Sequence, residues 1–519
     1  MMKSETTGAP AYRFAWVLTA VFLVFAGVSA WHHEFWRDEM QAWLIARDLR
    51  SLPALLEQAH YEGAPPLWSL MLYGLAGITS RPEIIQVLTW LLAGSTLFLF
   101  AAYGPFNRLQ KVLLAGNYYL LFEYGTVCRN YLPGVLALTL ACVFYPTAGK
   151  RPWRFAAMLV LAALASVHSL IVAVALAAAF WGARILRARG AWKKKEEPPQ
   201  SLHLGALALV IAGSALAAYS LLPRADTLFL SAAGWHWGWN PARVGKVFWA
   251  GVYAYFPWPR PAGYFWIPPW DTPFASYNSR VAAMLAVTLF TSGVVLFRRH
   301  ATALIFYVTG TAGVGAFLYV KYIGFTRHTG FLFLVFLFAW WLSRTREDGV
   351  EPKKDTGWNW WFQAAGALLL TAMLTVQAIN GAYAVSRDIA QPFSGGKATA
   401  RYLIDHKLDG GFIAVTPDWA GSPISAYLNR PLYYPQAYRH GTFTIWNTRR
   451  EEVITDAEFL RRAFQEAKGK EVVVILNEPP SDDLLALYGL KLEQGFTASL
   501  ASFEDHFIYR AEAKAPPVN

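Results

Sequence analysis

Long apolar runs separated by short polar segments dominate the first three quarters of the chain. The first run, Phe14 to Ala30, is followed by others at about 84–103, 112–125, 131–146, 155–170, 171–186, 202–222, 280–297, 301–320, 329–343 and 358–380. A helix needs about 20 apolar residues to cross a hydrocarbon core, so the pattern predicts about eleven membrane spans. The run Pro66 to Ile78 is too short to cross and reads as a helix lying on the membrane surface. Upstream of it, Leu52, Leu55, Leu56 and Ala59 recur at helical spacing after Ser51, with Pro53 in the first turn. That is the pattern of a capped amphipathic helix. From about residue 381 the pattern changes. A polar helical stretch, Asp456 to Gly469, precedes a short β-branched run, Val472 to Leu476, which predicts a small α/β domain. The expected division is a transmembrane domain over 1–380, with long loops at 31–82 and 223–279, and a soluble domain over 381–519.

Composition agrees with the pattern and removes one class of function. Hydrophobic residues make up 55% of the chain, charged residues 15%, and mean hydropathy is +0.28. A soluble domain of this size rarely shows that balance. The net charge of +12 would suggest nucleic acid in a soluble protein. Here Arg108 and Lys111, then Lys150, Arg151 and Arg154, then Arg184 to Lys195, then Arg298, Arg299 and the 344–354 cluster fall in short loops on one side. The positive-inside rule accounts for them. No nucleic-acid partner is expected. With Arg13 ahead of the first span, the N-terminus is placed in the cytoplasm, and loops 31–82 and 223–279 and the tail outside. The first span lacks a small-residue cleavage site and reads as retained. Two cysteines, Cys128 and Cys142, imply no disulfide framework. The expected location is a bacterial inner membrane. An endoplasmic reticulum protein of the same topology would face the lumen, but no retention signal stands at Pro517-Val518-Asn519.

Four groups of polar residues fall on the expected outer face, where ionisable side chains at a bilayer edge tend to mark a site or a topology signal. Trp36-Arg37-Asp38-Glu39 comes first, and its bland reading is a solvated helix start. Neighbours on a helix point about 100° apart, so the two carboxylates cannot share a proton, and one can act while the other orients. Glu123-Tyr124 with Arg129-Asn130-Tyr131 lies between two spans and can equally be an interfacial anchor. Lys321 with Arg327-His328 runs against the charge rule, which favours function. His168 ends an apolar run and reads equally well as a satisfied core histidine. The Trp-rich loop, with Trp235, Trp237 and Trp239, is better explained by an interfacial belt than by stacking on sugars.

A carboxylate, several cations and aromatic rings above a helix bundle suit glycosyl transfer from a lipid-linked phosphate sugar. The leaving phosphate needs charge stabilisation rather than a general acid. The acceptor hydroxyl needs one base, and a base opposite the departing phosphate inverts the anomeric carbon.

The motif Trp36-Arg37-Asp38-Glu39, followed by Tyr61-Glu62-Gly63-Ala64-Pro65-Pro66-Leu67-Trp68, resembles the first extracytoplasmic loop of the GT-C superfamily. That group contains protein O-mannosyltransferases and the lipid A aminoarabinose transferase. The resemblance covers about residues 14–345 and is firmest in the first hundred. It implies a GT-C fold with an extracytoplasmic tail, a polyprenyl-phosphate sugar donor, and a glycan, lipid or protein acceptor. It also implies Asp38 as base with Glu39 as its acidic neighbour, and Arg129 near the donor phosphate. Arg327 resembles the arginine that opens a late span, and Lys321 and His328 complete the expected phosphate set. Trp36, Glu62, Glu123, Tyr131 and His168 are the expected substrate contacts. Family members usually carry His where this chain has Ala64, so one contact is missing or replaced. No cofactor is implied, and no strong metal-ligand cluster is present. Two other classes remain open: a ligase or polymerase moving a whole lipid-linked glycan, and a transporter or flippase. The latter would be expected to carry charges deeper in its spans.

Overall fold

The computed structural model describes residues 9–189, 202–228, 235–260, 266, 279–345 and 358–511. Lys193 to Lys195, Arg346, Lys353 and Lys354, and much of loop 223–279, lie outside them. The first half of the chain forms α1 (Ala9–His32), α2 (Arg37–Asp48), α3 (Leu52–Glu62), α4 (Leu67–Ala76), α5 (Ile84–Tyr103), α6 (Arg108–Ala115), α7 (Tyr131–Phe144), α8 (Pro152–Ala163), α9 (Val167–Ala188) and α10 (Leu204–Ser220). After these come α11 (Pro241–Tyr255), α12 (Ser279–Phe297), α13 (Ala301–Val320), α14 (Thr326–Arg344) and α15 (Trp358–Ala390). Six helices among the described residues, α1, α5, α9, α12, α13 and α15, are long and apolar enough to cross a membrane. Helices α4, α7, α8 and α10 are apolar but shorter. The chain is a helical membrane protein.

Helix α14 is the axis of the bundle. Every residue from Thr326 to Ser343 is buried, which fits a helix apolar on all sides. Helices α7, α9, α11 and α13 pack around it. Gly330 lets the neighbouring chain come close, since a Cβ there would stand 2.4 Å from the Tyr119 ring and 2.5 Å from the Tyr124 hydroxyl.

Several sequence-derived boundaries are corrected. The run 112–125 is not one helix: α6 ends at Ala115, and a π-helical turn covers Tyr118–Glu123. Asn117 stops the helix by accepting the N–H groups of Tyr119 and Leu120 (both 3.0 Å). The break between the fifth and sixth runs comes near 165, not 170, because Ser166 caps α9 by accepting the Ser169 N–H at 3.1 Å. His168 therefore opens a helix rather than ending one. Helix α15 continues to Ala390, so the tail begins about ten residues later than expected. The Ser51 cap is present, accepting the Ala54 N–H at 3.4 Å, and Leu55 and Ala59 are buried while Leu52 and Leu56 are exposed.

The tail continues with α16 (Gly396–Asp405), β1 (Phe412–Thr416), α17 (Gly421–Leu428), β2 (Leu432–Tyr434), β3 (Arg439–Gly441), α18 (Asp456–Ala467), β4 (Val472–Leu476), α19 (Asp482–Tyr488), β5 (Lys491–Phe496) and β6 (His506–Ala511). Its mixed sheet has the order β3-β2-β1-β4-β6-β5, with β1 parallel to β2 and β4. All five residues of β4 are buried, as a strand covered on both faces requires.

The tail rests on α2. The Gln41 side chain donates to the Thr444 carbonyl (2.7 Å) and accepts the Thr444 N–H (2.9 Å), pairing with a backbone as a peptide group would. Leu44 and Ala46 belong to the same buried apolar cluster as Ala426 and Phe443 of the tail.

Candidate functional site

Helices α2 and α14 start alike. Trp36 and Phe325 occupy their N-caps in extended conformation, with ψ of 175° at both. Three residues on, Glu39 Oε2 accepts the Trp36 N–H (3.1 Å) and His328 Nδ1 accepts the Phe325 N–H (2.8 Å). Each is the returning half of a capping box. With both starts fixed, the residues between meet: Arg327 Nη2 stands 3.6 Å from Asp38 Oδ2. Arg129, from the segment before α7, pairs with the same oxygen through Nη1. Arg37 Nε lies 3.9 Å from Asp38 Oδ1. All three guanidiniums lie over the buried Trp36 ring, at 5.0, 5.9 and 5.5 Å for Arg37, Arg129 and Arg327.

Helix starts add partial positive charge beside these guanidiniums. The first turns of α2, α7, α9 and α14 converge here, and helix N-termini carry partial positive charge. A site made of helix N-termini and guanidiniums favours an anion. Burial acts to raise the Asp38 pKa, but Arg129, Arg327 and Arg37 outweigh it and hold the carboxyl below the ordinary aspartate range. Asp38 keeps 32% of its side chain exposed, so a ligand can reach it.

Glu39 is placed differently. Its side chain is fully buried. Besides the Trp36 N–H it accepts the Cys128 N–H (2.5 Å) and faces His33 Nε2 (3.2 Å). His33 Nδ1 in turn meets Asp388 Oδ2, at the end of α15, at 2.9 Å. Burial alone would lower the His33 pKa, but Asp388 and Glu39 raise it to about 10. Glu39 thus ties together the backbones that precede Arg37-Asp38 and Arg129, and has no free edge for a substrate.

Of the remaining expected residues, Tyr131, His168 and His328 form one cluster. Tyr131 Oη meets His328 Nε2 at 2.9 Å, and the His168 ring stacks on His328 at 5.0 Å. Because His328 Nδ1 accepts, Nε2 carries the proton and donates to Tyr131. Neither ring nitrogen of buried His168 has a hydrogen-bond partner among the described residues. Glu123 is buried, with Oε2 accepting from Tyr118 and from Trp266 Nε1 (3.3 Å). Trp266 also packs edge-on against Trp36 at 4.8 Å. Glu62 ends α3 and accepts from Gln41 (3.1 Å) and Gln58 (3.2 Å). Burial raises its pKa, despite those two bonds, to about 7. Lys321 is set apart from the Asp38 cluster, with its ammonium 5.2 Å above the Trp235 ring. Trp235, Trp237 and Trp239 are all exposed, the first two stacked at 5.6 Å.

Sequence reasoning missed His33, Asp388 and Glu504. Glu504 accepts from Arg37 N–H (3.3 Å) and Arg37 Nη1 (3.4 Å), while Arg37 also reaches the Ser502 carbonyl (2.8 Å). His33 closely follows the first apolar run, so the rule that singled out Asp38 applies to it as well, while Asp388 lies beyond the last run, in the final turn of α15. No pattern in the tail marks Glu504. Among the described residues no group of three or more His, Cys, Asp or Glu side chains is placed to hold a metal ion. No protein-family model matches this chain, and no curated protein matches it significantly.

Proposed function

We propose that the chain is an inverting, GT-C-type glycosyltransferase that moves a monosaccharide from a polyprenyl phosphate to a glycan, lipid or protein acceptor. In this reading the Asp38 end of the bundle faces the periplasm or exterior of a bacterial inner membrane, and the tail stands above it. The observation that carries the proposal is the part-buried Asp38 carboxylate held against Arg129 and Arg327 at converging helix N-termini. Asp38 engages guanidiniums that a donor phosphate would also engage.

A carboxylate ion-paired with guanidiniums is a weak base. A phosphodiester entering the site would compete for Arg129 and Arg327, and its own negative charge would raise the Asp38 pKa. Donor binding would then turn Asp38 into a usable base. The acceptor oxygen attacks the anomeric carbon, its proton passes to Asp38, and the bond from that carbon to the phosphate oxygen breaks on the opposite face. Polyprenyl phosphate leaves with its added negative charge held by the guanidiniums. In this scheme Glu39 is a positioning residue, and Trp36 supplies the surface against which the cations stack.

The test is release of free polyprenyl phosphate from a panel of monophosphate-linked sugars by the full chain in nanodiscs, with membrane extract as acceptor. Wild type should turn over at least one donor, and Asp38→Asn should lose turnover while keeping its fold. Activity confined to diphosphate-linked oligosaccharides would move the reading to glycan ligation. Undiminished turnover in folded Asp38→Asn would refute the role given to Asp38.

A further inference from the structure

A second cationic site lies at the far end of α2. A cleft of ≈ 370 Å³ opens between the end of that helix and the tail, and its lining includes Arg47, Asp48, Arg50, Arg430, Arg439 and Thr442. Four guanidiniums here face one carboxylate. That carboxylate is already engaged: Asp48 accepts a two-pronged contact from Arg47 (2.6 and 3.0 Å) and the Thr442 hydroxyl. Among the described residues Arg430 donates to two carbonyls, those of Asp409 and Gly411. Arg439 donates to the Phe443 carbonyl, and its buried Nε has no hydrogen-bond partner among the described residues. The exposed Arg50 guanidinium enters no ion pair among the described residues. Three guanidiniums thus border the cleft without an ion pair among the described residues. An anion seated among them would relieve their mutual repulsion, and the guanidinium fork matches phosphate geometry.

We propose that this cleft binds a phosphate-bearing group. Asp38 and Asp48 are ten residues apart on one helix, a separation of ~15 Å. On the glycosyltransferase reading, the cleft therefore holds a phosphate of the acceptor while the acceptor hydroxyl reaches Asp38. The charge balance stands without that reading; only the word acceptor rests on it.

The test reads binding, not turnover, so it succeeds or fails independently of the enzymatic proposal. The full chain in nanodiscs of zwitterionic lipid is titrated with inorganic pyrophosphate, following hydrogen-exchange protection of residues 47–51 and 429–443. A parallel set of nanodiscs contains phosphatidic acid. Protection by pyrophosphate supports a soluble phosphate ligand, and protection only by phosphatidic acid supports a lipid headgroup. Both should weaken at least tenfold in Arg50→Glu, whose side chain is exposed and unpaired, and fall steeply with salt. A second variant, Arg439→Gln, should weaken binding in the same direction. Absence of protection with either probe, or protection unmoved by both substitutions, would overturn the site.

Discussion

Glu39→Gln separates holding the site together from acting in it. The substitution keeps the shape of the side chain but leaves one carbonyl oxygen where two carboxylate oxygens accept from Trp36 N–H, Cys128 N–H and His33. The new amide NH2 must face at least one of those donors. Losing one partner of a buried ion pair costs about 3–5 kcal/mol. Asp388 still pairs with His33, which places the expected loss near the lower end, about 3 kcal/mol. Local opening should rise roughly 10²-fold, since each 1.4 kcal/mol is about a factor of ten. Hydrogen exchange in nanodiscs reads this directly in peptides covering 34–40 and 126–131. Asp38→Asn leaves all the Glu39 bonds in place, and because the Asp38 side chain is 32% exposed its pairs are solvent-screened and worth about 1 kcal/mol, so the same peptides should accelerate by less than about tenfold. Faster exchange in Asp38→Asn than in Glu39→Gln, or no acceleration in Glu39→Gln, would refute the assignment of Glu39 as the pin.

Three further outcomes follow from particular contacts. Burial raises the Glu504 pKa to about 7 against the opposing pull of Arg37 and Ser394, so the docked tail holds a proton that the free carboxyl has lost. Docking is then strongest below about pH 4.5 and weakens by about 3 kcal/mol as pH rises to 7; Glu504→Gln should abolish this pH dependence of exchange at residues 500–506, and its persistence would be counter-evidence. Arg327→Lys keeps the charge but loses the planar group that lies over Trp36, Trp266 and Phe325; on the transferase reading, donor turnover should fall about 10²-fold, the order seen when one transition-state donor is removed, and unchanged turnover would exclude contact with the phosphate. Gly330→Ala drives a methyl into the Tyr119 ring and the Tyr124 hydroxyl and should lower stability to thermal unfolding by about 1–3 kcal/mol, the usual cost of overpacking, and an unchanged unfolding temperature would refute the close approach.

What could be read from the sequence divides along a physical line. Apolar runs and caps are local, and the Ser51 start of α3, the α18 helix and strand β4 all lie close to where their patterns put them. The other strands carry no such local mark: β2 and β3 are three residues each and owe their pairing to neighbours distant in sequence. The break at Asn117 does carry a local mark, Gly116-Asn117, which a reading of the run by its hydrophobicity alone passes over. At the site, helical geometry says that Asp38 and Glu39 point apart, yet not which one is buried. That depends on His33, Cys128 and Asp388, the last of them 355 positions from His33 and brought in by α15. The asymmetry has a cause. Of two adjacent carboxylates at a helix start, the one at the third position can fold back onto its own N-cap and be buried with its bonds satisfied, as Glu39 is. The one at the second position cannot, and so Asp38 is left pointing outward to whatever cations the neighbouring helix starts supply. The order Asp-Glu, rather than either residue alone, is what assigns one carboxylate to the scaffold and leaves the other open to a ligand. Reversing it, Asp38→Glu with Glu39→Asp, should disrupt both: the side chain at the third position, one methylene shorter, would fall short of the Cys128 N–H. The exchange signature of Glu39→Gln should then reappear in a chain that has lost no charge, and a double variant that exchanges like wild type would show that side-chain reach does not set the division.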